Sequence, residues 1–160
     1  MKPGPQLVYS SRTGRLDQVE DVLRSSNVDI DFRNRDANTA LIYAARHGYL
    51  QIVRRLLECK ANCNIQGEEN NTALIWAARN IRVDIVQTLL ESRASSNLSG
   101  QNDRTALMWA QNVKCSSCVS RNHTIMKMLK KHQTDELRRV FSGRSWMCTD
   151  ILDVVISFLV

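Results

Sequence analysis

The chain has 160 residues and a mass of 18.3 kDa, which suits one domain burying roughly 70% of its unfolded surface and excludes a large multidomain enzyme. Hydrophobic residues make up 43% and charged residues 24%, too apolar for a disordered chain and ordinary for a soluble globular one. Lys and Arg number 22 against 16 Asp and Glu, and the net charge of +6 permits an acidic partner without requiring one.

Both prolines, Pro3 and Pro5, fall in the opening segment, so ring sterics break no later helix and a helix-rich body is expected. Five cysteines, an odd number, with no basic-then-apolar leader at the start, point to a reducing intracellular compartment, cytoplasmic or nuclear. The longest apolar stretch lies near the C-terminus, is about half the ~20 residues a spanning helix needs, and is interrupted by Asp153. No membrane span is expected.

Taken in chain order, the sequence repeats itself. Asn38-Thr39-Ala40-Leu41 returns as Asn71-Thr72-Ala73-Leu74 and as Arg104-Thr105-Ala106-Leu107, with threonines at positions 39, 72 and 105, an offset of 33 both times. Ala44-Ala45-Arg46 returns as Ala77-Ala78-Arg79, Ile52-Val53 as Ile85-Val86, Leu56-Leu57-Glu58 as Leu89-Leu90-Glu91, and Asn64 as Asn97. An earlier copy fits at an offset of 34, through Leu7, Tyr9, Gly14, Val19, Val22 and Leu23, with one extra residue near Asn27. In the fourth copy Ile125-Met126 follows Ile85-Val86 at an offset of 40, which places an insertion of seven between its helices. Each period predicts two helices: a first capped by its threonine and carrying small residues, then a second with apolar residues at i, i+1, i+4 and i+5. Polar Asn, Gly and Ser stretches between periods predict turns.

This pattern resembles the ankyrin repeat, whose family form begins Thr-Pro-Leu-His and runs through Ala-Ala, Gly-His, Ile-Val, Leu-Leu and Gly-Ala-Asp-Val-Asn. The resemblance covers residues 6 to 132. It implies an all-α solenoid of about four stacked helix-turn-helix units (6–37, 38–70, 71–103 and 104–133, with the insertion near 112–122) and a helical cap or interaction tail over 134–160. It also implies that Leu41, Leu74, Leu107, Ile52, Val53, Ile85 and Val86 form the core. The family Pro and His are replaced by Ala40 and Ile42, Ala73 and Ile75, and Ala106 and Met108. Family glycines of left-handed turns are replaced by Ala37, Asn70, Asp103, Lys60 and Arg93, so only moderate stability is expected.

Stacking in register turns residues one period apart into ladders. Arg12, Arg46 and Arg79 share a position near the ends of the first helices, where the resemblance implies ligand-contacting residues on a concave face. They either complement helix dipoles in solvent or line a groove that grips carboxylates or phosphates. Tyr9, Tyr43, Trp76 and Trp109 form a second ladder, which either packs between helices or borders the Arg row as interface anchors. The turns Arg33-Asn34-Arg35-Asp36, Gly67-Glu68-Glu69-Asn70 and Ser99-Gly100-Gln101-Asn102 offer a third surface. Its mixed signs, with Glu68 and Glu69 acidic between basic and neutral neighbours, argue against a nucleic-acid track and for protein recognition. Asn64 and Asn97 stand at the asparagine that, by the resemblance, asparaginyl hydroxylases modify; their plainer role is hydrogen bonding within the turn.

In the insertion, Cys115, Cys118 and His123 resemble the first three ligands of a zinc knuckle. Met128 stands where the fourth is needed, and the alternative is a loop carrying two thiols. No cofactor is expected. Between Arg104 and Arg144, nine basic residues face only Asp135 and Glu136. Thr134 with Asp135-Glu136 predicts the start of a short separate helix over Leu137, Val140 and Phe141. Residues 147–159 loosely resemble the opening of an F-box, with Cys148 replacing its usual proline; a hydrophobic cap over the last repeat is the other reading. The expected function is therefore non-enzymatic protein binding by a chain that is monomeric if its apolar tail is covered. The alternative is a substrate adaptor for a ubiquitin ligase.

Overall fold

The computed structural model describes residues 2–25, 27–112 and 118–141. The predicted helix pairs are present as α1 (Pro3–Thr13) and α2 (Leu16–Leu23), α3 (Ala40–His47) and α4 (Leu50–Glu58), α5 (Ala73–Arg79) and α6 (Val83–Glu91), and α7 (Ala106–Gln111) and α8 (Val119–Phe141). No strand occurs among the described residues beyond an isolated antiparallel bridge between Ser99 and Thr105.

The threonine caps behave as the sequence predicts. Thr39, Thr72 and Thr105 adopt extended backbone, and their side-chain oxygens accept from the N–H groups of Ile42, Ile75 and Met108 at 3.3, 3.3 and 3.4 Å. Each bond satisfies one of the donors that a helix start leaves unpaired. α1 begins three residues earlier than the period requires, at Pro3, a position where a missing N–H costs nothing.

First helices pack on one another in the order α1, α3, α5, α7, and second helices in the order α2, α4, α6, α8, each pair also packing internally. The result is a two-layer stack with one continuous apolar interior. Leu41, Leu74, Ile52, Val53, Ile85 and Val86 are all buried. Leu107 is only partly buried, against expectation, and Met108 is half exposed where its equivalents Ile42 and Ile75 are buried. No described first helix follows α7 to cover them. The irregular fourth repeat still closes the second layer, because Ile125 and Leu129 are fully buried in the places that Ile85 and Leu89 take one repeat earlier, the insertion notwithstanding.

One expected boundary is absent. Thr134 lies inside the 23-residue α8 rather than at a helix start, and its hydroxyl donates to the Lys131 carbonyl at 2.7 Å. A threonine able to bond back along its own helix does not have to end it. Residues 142–160, including the F-box-like segment, lie outside the described residues.

Left-handed backbone occurs where the missing glycines predict it: φ is 60° at Ala37, 67° at Lys60, 58° at Asn70, 63° at Arg93 and 55° at Asp103. Ile81 adds a position that the glycine pattern did not flag. It stands one period after Gly48 and has φ 56°, a conformation that a β-branched side chain resists. Replacing Lys60 and Arg93 together by glycine relieves strain at two turns, less the chain entropy glycine adds to the unfolded state. The double variant is expected to gain about 1 kcal/mol and melt about 2–4 °C higher. A lower melting temperature would show that these side chains contribute more than their backbone costs.

Candidate interaction surface

Consecutive turns are tied to one another by repeated side-chain bonds. Asn38 and Asn71, both buried, send Oδ1 to the N–H of Glu68 and of Gln101 in the next turn, at 3.0 and 3.2 Å. Gly67 and Gly100 let this happen, because a methyl group on either would run into the same Asn38 or Asn71 oxygen. The sequence carries the signal, Asn and Gly each recurring once per period, but only the geometry shows that each asparagine answers the glycine of the following turn.

The same ties account for several predicted contact residues. Arg33 donates to the carbonyls of Ala37 and Gln66 at 3.2 and 2.9 Å, and Gln66, one period later, donates to the Ser99 carbonyl at 2.8 Å. Arg33 and Arg35 are both exposed, and Arg33 is engaged in joining turns. Asn64 Oδ1 accepts from the Ser95 N–H at 2.8 Å. Asn97 donates to Glu136 and accepts from Gln133, both at 3.3 Å, tying its turn to α8. These asparagines hold neighbouring repeats together, and both residues are exposed.

On the first-helix face the two ladders interlock. The Arg12 guanidinium lies 5.7 Å from the Tyr43 ring centre, and that of Arg46 lies 4.2 Å from Trp76. Arg79 sits between two rings, 4.9 Å from Trp76 and 4.5 Å from Trp109, and Arg104 approaches Trp109 at 4.9 Å. Arg12, Arg46 and Arg79 therefore each face the aromatic residue one repeat further on. Attraction between a guanidinium and a ring face holds extended, flexible side chains in a fixed row. Tyr43 and Trp76 are buried, whereas Tyr9 is half exposed. Tyr43 is held further by Asp36 and Asn34, at 3.1 and 3.0 Å from its hydroxyl. The indole nitrogens of Trp76 and Trp109 are enclosed with no hydrogen-bond partner among the described residues, so these rings act through their faces.

Sequence reasoning missed Arg104. It occupies the position of Asn38 and Asn71 one period on, and with no further described turn to tie, its side chain extends the guanidinium row. It also did not foresee that Glu68 and Glu69 lean onto that row: Arg46 Nη1 lies 3.2 Å from Glu68 Oε2, and Arg79 Nη1 lies 3.6 Å from Glu69 Oε2. His47 stacks between Tyr43 and Tyr49, with ring centres 6.3 and 5.9 Å away. Burial first, then the guanidiniums of Arg46, Arg12 and Arg82, hold its imidazole below the ordinary value of 6.5. It is neutral at neutral pH, so guanidiniums supply the positive charge of this face.

For the zinc-knuckle resemblance, Cys115 lies outside the described residues, Cys118 immediately precedes α8, and His123 is exposed on that helix. Among the described residues no three His, Cys, Asp or Glu side chains are grouped to hold a metal ion. No described helix is long and apolar enough to cross a membrane.

Comparison with known proteins agrees with this architecture. A family model described as ankyrin repeats, three copies, matches residues 7–99 and 63–139. The chain is also similar to alpha-latroinsectotoxin-Lt1a of Latrodectus tredecimguttatus, at 41% identity over 63 residues. That stretch is 39% of this chain and only 4% of the toxin, so the likeness is to a small part of a far longer protein. With caps, turns and layers in place over the matched residues, the chain belongs to the ankyrin-repeat family, whose repeats generally serve as protein–protein interaction modules.

Proposed function

We propose that the chain is a non-catalytic recognition module that holds an acidic, partly apolar protein segment across its first-helix face. The observation that carries this reading is the alternating row Arg46, Trp76, Arg79, Trp109, Arg104, in which each guanidinium is held against at least one ring. Holding the side chains before binding reduces the ordering entropy that association would otherwise cost. Guanidiniums recognise carboxylates through paired, charge-assisted hydrogen bonds, and the partly exposed Trp109 ring among them offers apolar contact to an intervening residue.

Selection of displayed peptides on the immobilised protein tests the reading. Enriched sequences are expected to be rich in Asp and Glu, and to bind Arg46→Gln/Arg79→Gln at least about tenfold more weakly, since a hydrogen bond to a charged group contributes about 1.5–3 kcal/mol. Enrichment without acidic residues, or equal binding by the double variant, would remove the row from the interface.

A further inference from the structure

Glu68 and Glu69 are adjacent in sequence, yet their carboxylates reach guanidiniums one repeat apart. Each is positioned by more than its arginine. Asn38 Nδ2 lies 3.4 Å from Glu68 Oε2 and Asn71 Nδ2 lies 3.3 Å from Glu69 Oε2, while Gln101 donates to Glu69 Oε1 at 2.9 Å. The backbone of Glu69 is left-handed, with φ 58°, in the turn that sends the two side chains to different arginines. Neither flanking turn does the same: Arg35 stands one period before Glu68, and Gln101 one period after it. Arg12 has no carboxylate partner among the described residues.

All four side chains keep contact with water, with exposures of 36% and 47% for Arg46 and Glu68, and 35% and 38% for Arg79 and Glu69, although Arg79 Nη1 itself is enclosed and makes no hydrogen bond. Such pairs are weak and exchange readily with another anion. We infer that Glu68 and Glu69 occupy in the unbound chain the two positions that a partner's carboxylates take on binding, so that this turn is an internal competitor for the arginine row. The inference rests on the proposed binding face and adds a partner class to it. Stacked helices place equivalent residues about 8–10 Å apart, and a peptide in the extended polyproline-II conformation, which rises about 3.1 Å per residue with three residues per turn, spans that distance in three residues with both side chains on one side. The fitting partner is thus an extended peptide segment with two acidic residues three positions apart. The glutamates screen the row from singly charged ligands, which displace only one of them.

Fluorescence anisotropy in about 50 mM salt, where surface charges are weakly screened, tests this with a short fluorescein-labelled peptide bearing two glutamates three residues apart. An isomer of the same composition with the glutamates adjacent serves as its control. Glu68→Gln/Glu69→Gln is expected to bind the spaced peptide about three- to tenfold more tightly than wild type, with no comparable gain for the isomer. Glu20→Gln/Asp21→Asn, on α2, changes net charge equally and is expected to leave affinity as it was. Arg46→Gln/Arg79→Gln is expected to bind weakest. Equal or weaker binding by the glutamine variant, or an equal gain in the charge control, overturns the inference while loss of binding in the arginine variant upholds the face. Failure of the peptide to bind either wild type or the glutamine variant overturns both.

Discussion

Gly100→Ala is expected to lower stability by about 2–4 kcal/mol, with a fall in melting temperature of about 5–15 °C. The residue has φ −114°, outside the left-handed region, so left-handed strain is not the cause. Space is. The Asn71 side-chain oxygen fills the volume a methyl group would take, and Asn71 is fully buried, with its Oδ1 already accepting from Gln101. Moving it aside strands buried polar atoms in both residues. Gly67→Ala is expected to behave alike, since Asn38 stands in the same relation to it and the added methyl would also lie 2.8 Å from Ile42 Cδ1. In a double-mutant cycle, Asn71→Ala and Gly100→Ala are expected to cost less together than the sum of the two, because the first removes the atom the second strikes. Strict additivity would show that the clash is relieved in some other way.

Leu129→Ala should be the most damaging of the single changes in α8. The side chain is completely buried, and deleting it from a closed interior costs about 2–5 kcal/mol. Position along the stack decides what that energy does. Repeats interact only with their neighbours, so a loss at the end acts locally, whereas the same loss at Leu89, one repeat inward, weakens contacts on both sides. Hydrogen exchange of Leu129→Ala is therefore expected to show α7 and α8 losing protection while α3 to α6 keep theirs. Leu89→Ala should lower protection through α4, α6 and α8 together. Simultaneous loss everywhere in Leu129→Ala would mean that the fourth repeat, despite its insertion, is fully cooperative with the rest.

The glycine substitutions bear on the proposed binding face through one turn. The acidic tip is held in place by Asn38 from the repeat before and by Gln101 from the repeat after, so Gly67→Ala disturbs the tip where the arginine row receives it. Stability of the stack and presentation of its face are therefore not separable at these glycines. They are more nearly separable at Arg46 and Arg79, whose side chains are only partly buried.

Period, caps, the left-handed positions of the replaced glycines and the apolar faces of the helices, though not the left-handed Ile81, were legible in the amino-acid order. Each is a local property repeated by translation: a threonine caps its own helix, and a side chain one period on becomes a neighbour once stacking is assumed. The burial of Leu107 and the start of a helix at Thr134 were misjudged because both depend on what lies beyond the local window, a covering helix in one case and an available i−3 carbonyl in the other. The pairing of each arginine with the next repeat's ring, the docking of Glu68 and Glu69 onto Arg46 and Arg79, and the lock between Asn71 and Gly100 were decided only by the tertiary structure. Those contacts depend on the offset between stacked repeats and on side-chain rotamers, quantities set by how whole helices pack and not by the spacing of residues along the chain.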